Sequence, residues 1–303
     1  MTNIPAEHAR LLRLATNAAL GTAILLAICK AVAWWLSGSV SLLGGLTDSL
    51  LDGVASLLNL LAVRYSLRPA DDNHRYGHGK AEALAGLGQA AFICISALIV
   101  GTQAIDRLFH PEPLGSPTAG IVVMLLSLAV TVALLAYQRH VVRITGSTAV
   151  RADSLHYHSD LLLNGSILLA LLLASVGLNR VDAFFGIGIA FYILWNAIGI
   201  AREASSILMD TELPTEIGQH MQQLINAVPD VLGCHDLRTR ASGMNWFVQL
   251  HIDLPDEMPL RRVHAVCEAI TQAIRQEYPN TEVLVHADPL HLRSRWQSAG
   301  AKQ

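Results

Sequence analysis

The stretch GGLTDSLLDGVASLLNLLAV, residues 44–63, decides how the whole chain is read. It has the length and apolar character of a membrane-spanning helix. Yet it carries Asp48 and Asp52, four residues apart. On a helix these positions project only about 40° from one another, so both acids share a face. An acid at mid-membrane costs roughly 2.5–3.5 kcal/mol on insertion scales. Two on one face also repel. A proton, a cationic side chain or a metal ion must offset them, and the span has no basic residue before Arg64.

Composition supports the membrane reading. Of 303 residues, 52% are hydrophobic and 15% charged, and the mean hydropathy of +0.41 is unusual for a soluble domain. A net charge of −3 without a basic, aromatic-interleaved patch argues against nucleic acid as a partner. Cys29, Cys94, Cys234 and Cys267 form no CxxC pair, which excludes a thiolate zinc site of the usual spacing. The first apolar run lacks the short core and cleavage site of a signal peptide and reads as a retained span.

Outward from residues 44–63 the pattern predicts six spans: 11–36, 40–66, 81–106, 118–138, 157–178 and 183–206. The breaks are SGSVS, RPADDNHRYGHGK, HPEPLGSPT, QRHVVRITGSTAVRAD and GLNRVD. The second and fourth breaks and their flanks hold Arg64, Arg68, Arg75, Lys80, Arg139, Arg143 and Arg151. Only Arg107 and Arg180 mark the other side, so both termini are expected in the cytoplasm. Residues 1–208 thus form a six-helix membrane domain. Residues 209–290 read as a soluble α+β domain of order α-β-β-α-β, with helices on one face of a three-stranded sheet. Residues 291–303 read as a disordered tail.

The fifth span answers the two acids. His156 and Asp160 repeat the i, i+4 spacing. One imidazole and three carboxylates suit a tetrahedral site for Zn²⁺, or for Fe²⁺, Cd²⁺ or Mn²⁺. His158 points to another face. Two further clusters stand out. Asp71, His74 and His78 are spaced like ligands on a glycine-bearing loop, which would equally suit a solvated turn. In the soluble part, His235, His251, His264, His286 and Asp288 can converge on one sheet, since strand alternation puts His286 and Asp288 on one side. Lys80 and Asp210 read either as an ion pair at the cytoplasmic mouth or as two independent charges. Gly44, Gly45, Gly53, Ala55, Gly86 and Gly88 would permit close helix contacts.

These motifs resemble the cation diffusion facilitator family, in its bacterial zinc/ferrous-iron efflux branch. The likeness rests on DxxxD at 48–52, HxxxD at 156–160, PADDNHRYGHGKAE, VRADSLHYHSD, CHDLRTR and VHADP, in that order, over about residues 10–290. It implies a homodimer in the bacterial inner membrane that exports metal in exchange for protons. It implies that Asp48, Asp52, His156 and Asp160 form the transport site. It further implies a second metal site at Asp71, His74 and His78, and a binuclear zinc site among the tail-domain histidines. Ala287 stands where relatives carry a longer polar residue, which leaves the backbone contribution there open.

Other function classes fare worse. GHGKAE lacks GxxxxGK[ST], so no ATP site is expected. No HExxH or GxGD acid supports an intramembrane protease. A membrane metal sensor that transports nothing is the alternative reading; it would bind zinc without vesicle flux.

Overall fold

The computed structural model describes residues 6–37, 40–109, 118–174 and 181–290. Most of the expected breaks SGSVS (37–41), HPEPLGSPT (110–118) and GLNRVD (177–182), and all of the expected tail at 291–303, lie outside the described residues. Six long helices come first: α1 (Ala6–Ser37), α2 (Val40–Ser66), α3 (Lys80–Phe109), α4 (Thr118–Thr145), α5 (Thr148–Ala174) and α6 (Val181–Leu208). Among the described residues, five helical segments are long and apolar enough to cross a membrane: Ala6–Leu36, Gly45–Ser66, Lys80–Asp106, Met124–Thr145 and Phe184–Leu208. The remaining long helix, α5, carries the His/Asp ladder.

The chain folds as two compact units. Among the described residues, those of 6–68 and 78–205 form one, and those of 69–77 and 206–290 form the other. The fourth expected break is mostly helix. α4 runs on through Arg139 and Arg143 to Thr145, and α5 begins at Thr148. Arginine is a good helix former, so charge marks where the lipid ends but not where the helix ends. The helix stops at Gly146, whose φ of +65° suits glycine.

Two contacts set helix spacing in the membrane unit. A Cβ at Gly86 would lie 3.1 Å from the Thr148 methyl, so α3 and α5 meet closely there. A Cβ at Gly186 would lie 2.8 Å from the Cβ of Ala104, which only glycine allows between α6 and α3. Gly88, by contrast, faces open space. Buried polar groups then pin α5. Glu82 of α3 accepts hydrogen bonds from Ser147 and from the backbone N–H groups of Thr148 and Ala149, capping the start of α5. Asp153 accepts from Gln138 of α4 at 2.7 Å and Gln89 of α3 at 3.4 Å. Tyr157 donates to the Ala19 carbonyl of α1, and its hydroxyl lies 3.0 Å from Ser56 of α2. Four neighbouring helices therefore fix the axial position of the helix that carries His156 and Asp160.

The second unit contains α7 (Thr215–Asn226), β1 (Gly233–Ser242), β2 (Asn245–Leu254), α8 (Leu260–Glu277) and β3 (Thr281–Pro289). The order is the α-β-β-α-β read from sequence. The sheet order is β1-β2-β3, with β1 antiparallel and β3 parallel to β2. Val248, Leu250, Ile252 and Leu254 alternate along β2 and are buried against Met221 and Ile225 of α7 and Val266, Ile270 and Ile274 of α8. The other face carries His251 and Asp253 of β2 together with Phe247, which meets Tyr76 edge-on.

Candidate metal centres

In the membrane unit, α2 and α5 bring Asp52, His156 and Asp160 together. One ligand atom from each lies within 4.8 Å of the others. His156 Nε2 is 2.9 Å from Asp52 Oδ1 and 3.8 Å from Asp160 Oδ2. The imidazole is buried, with its ring edge-on to Phe92 at 5.9 Å. Asp48, one turn before Asp52, is not in the three-residue group but lines the same cavity of about 470 Å³. His158 turns away to Tyr192.

The cavity also holds a residue that the pattern along 44–63 does not point to. Lys30 of α1 lines it, and its Nζ donates to Ser49 Oγ at 2.7 Å. The cationic partner missing from α2 is supplied by the neighbouring helix. The one signal in the sequence is a lysine seven residues inside an apolar run.

On the loop after α2, the Asp71 carboxylate accepts the backbone N–H groups of Asn73 (3.0 Å) and His74 (2.7 Å), and its Oδ1 is 3.2 Å from His74 Nδ1. Gly77, at φ +79°, closes the turn by donating to the His74 carbonyl. His78, the third expected ligand, follows this turn at the start of the other compact unit. The His74 N–H holds the Asp71 carboxyl below the usual aspartate range. Because the folded value is depressed, the turn's stabilisation is fully present above about pH 4, the ordinary aspartate value, and is lost as pH falls from there through the lower folded value. Carboxyl NMR should place the Asp71 midpoint below that of an unstructured aspartate; a midpoint at or above the ordinary value would contradict the turn.

In the second unit, register builds the cluster. His235 pairs with His251, and His251 with His286, so the three imidazoles form one row across the strands. Their ring centroids are 5.3 and 4.5 Å apart. A β-bulge between His235 and Arg238, with Asp236 at φ +47°, sits at the row's edge. Asp288 Oδ2 is 2.8 Å from His251 and 3.7 Å from His235, and its Oδ1 is 3.2 Å from His286. Asp253 joins at 3.4 Å from His235 Nε2. Strand alternation puts Asp253 on the face of His251, but the sequence reading does not name it as a ligand. His264, on α8, is exposed and outside the three-residue group of His235, His251 and Asp288.

Asp210, at φ +56°, pairs with Arg240 at 3.3 Å. The Arg240 guanidinium also lies 4.7 Å from the ring centroids of both Tyr76 and Phe247. Arg240 closes the CHDLRTR stretch, but nothing in that stretch names Asp210 as its partner; folding brings the two together.

Comparison with known proteins gives the same direction. The cation efflux transmembrane domain family matches residues 17–209, and the cytoplasmic domain of cation efflux proteins matches residues 213–290. The chain is 48% identical over 291 residues to the cation-efflux pump FieF of Cronobacter sakazakii, covering 96% of this chain and 97% of that protein. It is 48% identical over 283 residues to the FieF pump of Escherichia coli strain K12, covering 93% and 94%. Among solved structures, CzrB in its zinc form is 28% identical, with a TM-score of 0.25 over 27% of this chain and 94% of that one. Sequence motifs, architecture and full-length relatives agree that this chain belongs to the cation efflux, or cation diffusion facilitator, family.

Proposed function

We propose that this protein exports divalent metal cations, Zn²⁺ and Fe²⁺ foremost and Cd²⁺ in addition, from the bacterial cytoplasm across the inner membrane in exchange for protons. The observation that carries the reading is the convergence of Asp52, His156 and Asp160 beside Asp48 in one intramembrane cavity. Three carboxylates and one imidazole offer hard and borderline donors and enough charge to replace the hydration of a dication. Such ligands bind metal only when deprotonated, so loading metal expels protons and protonation expels metal. Alternating exposure of the cavity to the two sides would convert this competition into antiport.

The protein acts as a homodimer with both termini in the cytoplasm. In the tail domain, His235, His251, His286 and Asp288 supply the nitrogen and oxygen donors zinc prefers, and their cross-strand row fits such an ion. A zinc ion held there would favour the folded, dimer-competent form of the domain. At a zinc concentration 100-fold above Kd the gain is about 2.7 kcal/mol. The tail domain's thermal midpoint should therefore rise with zinc, and His251→Ala should remove most of the rise. An equal rise in the variant would exclude this site. The Asp71, His74 and His78 turn is a regulatory or structural metal site in the same reading.

The decisive experiment uses proteoliposomes with a metal-sensitive and a proton-sensitive dye. Metal entry should be matched by proton movement in the opposite direction. Metal flux without proton flux would end the antiport reading, and binding without any flux would favour the sensor.

A further inference from the structure

Lys30 stands out among the ionisable groups that the proposed transport chemistry does not use. It lies in α1, among residues that otherwise read as lipid-facing or core. A lysine in such a place ordinarily extends towards the membrane surface. Here its stem instead lies over Gly45 of α2: a Cβ built there would be 3.8 Å from Lys30 Cδ and 3.9 Å from Cε and Nζ. The ammonium ends on Ser49 Oγ at 2.7 Å, on a serine that is itself buried. Ser49 adjoins Asp48. Lys30 interacts electrostatically with both Asp48 and Asp160, which come from different helices. All four line the one cavity. The lysine stem and the Gly45 position are thus in ordinary van der Waals contact, which places the stem along α2.

We propose that Lys30 is a tethered cation of the transport cavity, competing with metal for the charge of Asp48 and Asp160 and so limiting how tightly the metal is held. The inference rests on the transport-site reading given above. Its physical basis is charge balance. Three carboxylates around a dication would hold it strongly, and an exporter must also let go. A lysine is a compact charge on a flexible four-carbon stem, so it can withdraw as the dication enters and return as it leaves. One neighbouring charge typically moves an ionisation equilibrium by about one to three decades, and a doubly charged ligand should respond at least as strongly. Lys30 is thus a positioning and affinity-setting residue, not a metal ligand.

The test is initial-rate zinc flux in proteoliposomes for wild type, Lys30→Met, Lys30→Gln, Lys30→Arg and Asp52→Ala. Lys30→Met should lower KM for zinc by roughly ten-fold or more and lower kcat with it, because release slows. Lys30→Gln, which keeps a donor for Ser49, should show the same split and stands in if the methionine variant does not fold. Lys30→Arg should restore near-wild-type values, which a purely packing role would not predict. An unchanged or raised KM in both neutral variants, with Asp52→Ala inactive, would overturn the role of Lys30 and leave the transport site standing. Full flux in Asp52→Ala would overturn both.

Discussion

Asp52→Ala should lower zinc flux by about two orders of magnitude or more while leaving a folded protein. Residues that only orient a metal ligand typically contribute about 10–100-fold to affinity or activity, and Asp52 is argued to be a ligand itself. Its Oδ1 is 2.9 Å from His156 Nε2, so its loss removes a carboxylate and also the partner that holds the imidazole. Folding should survive for separate reasons. Alanine is the best helix former. The axial position of α5 is pinned elsewhere, by Glu82, Gln138, Gln89 and Ser56. Asp52→Asn, which keeps the shape and removes the charge, should be nearly as inactive. Size-exclusion elution and flux measured on the same preparations check both halves. Retention of more than a tenth of wild-type flux in either variant would remove Asp52 from the site.

Leu250→Ala should destabilise the tail domain by about 2–5 kcal/mol, the usual loss for a large-to-small change in a core. Leu250 is 1% exposed in the central strand, packed within the cluster shared with α7 and α8. A domain of this size commonly has only about 5–15 kcal/mol in hand, so the thermal midpoint should fall by many degrees. The neighbouring His251 faces the other way and is 37% exposed at its side chain. Without metal, His251→Ala should therefore change stability little. The pair tests the alternation of β2 directly. Equal losses from the two substitutions would mean that the strand's faces are assigned wrongly.

Much of this was legible from spacing. DxxxD and HxxxD put acids and an imidazole on helix faces by the geometry of a single helix, so Asp52, His156 and Asp160 could be named together without knowing how α2 meets α5. The α-β-β-α-β order followed from period-2 and period-3.6 patterns. The long reach of α4 and α5 into the fourth break was not legible, because hydropathy reports the lipid boundary and helices continue beyond it. The partners of Asp253 and Arg240 were not legible either: alternation puts Asp253 on the face of His251, but only strand pairing brings it to His235, and only folding brings Arg240 to Asp210.

The sequence by itself determined which residue types share a helix or strand face, because that depends on local periods of rotation alone. It therefore pointed to the long apolar helices, to the α-β-β-α-β order and to most of the residues that the fold gathers into candidate clusters. Only the tertiary structure decided what stands opposite each face. Lys30 reaches the cavity of the acids because α1 packs beside α2, where its Nζ donates to Ser49, and His235, His251 and His286 form a row because strand register aligns them. Contacts between elements depend on packing and register, which no local repeat encodes.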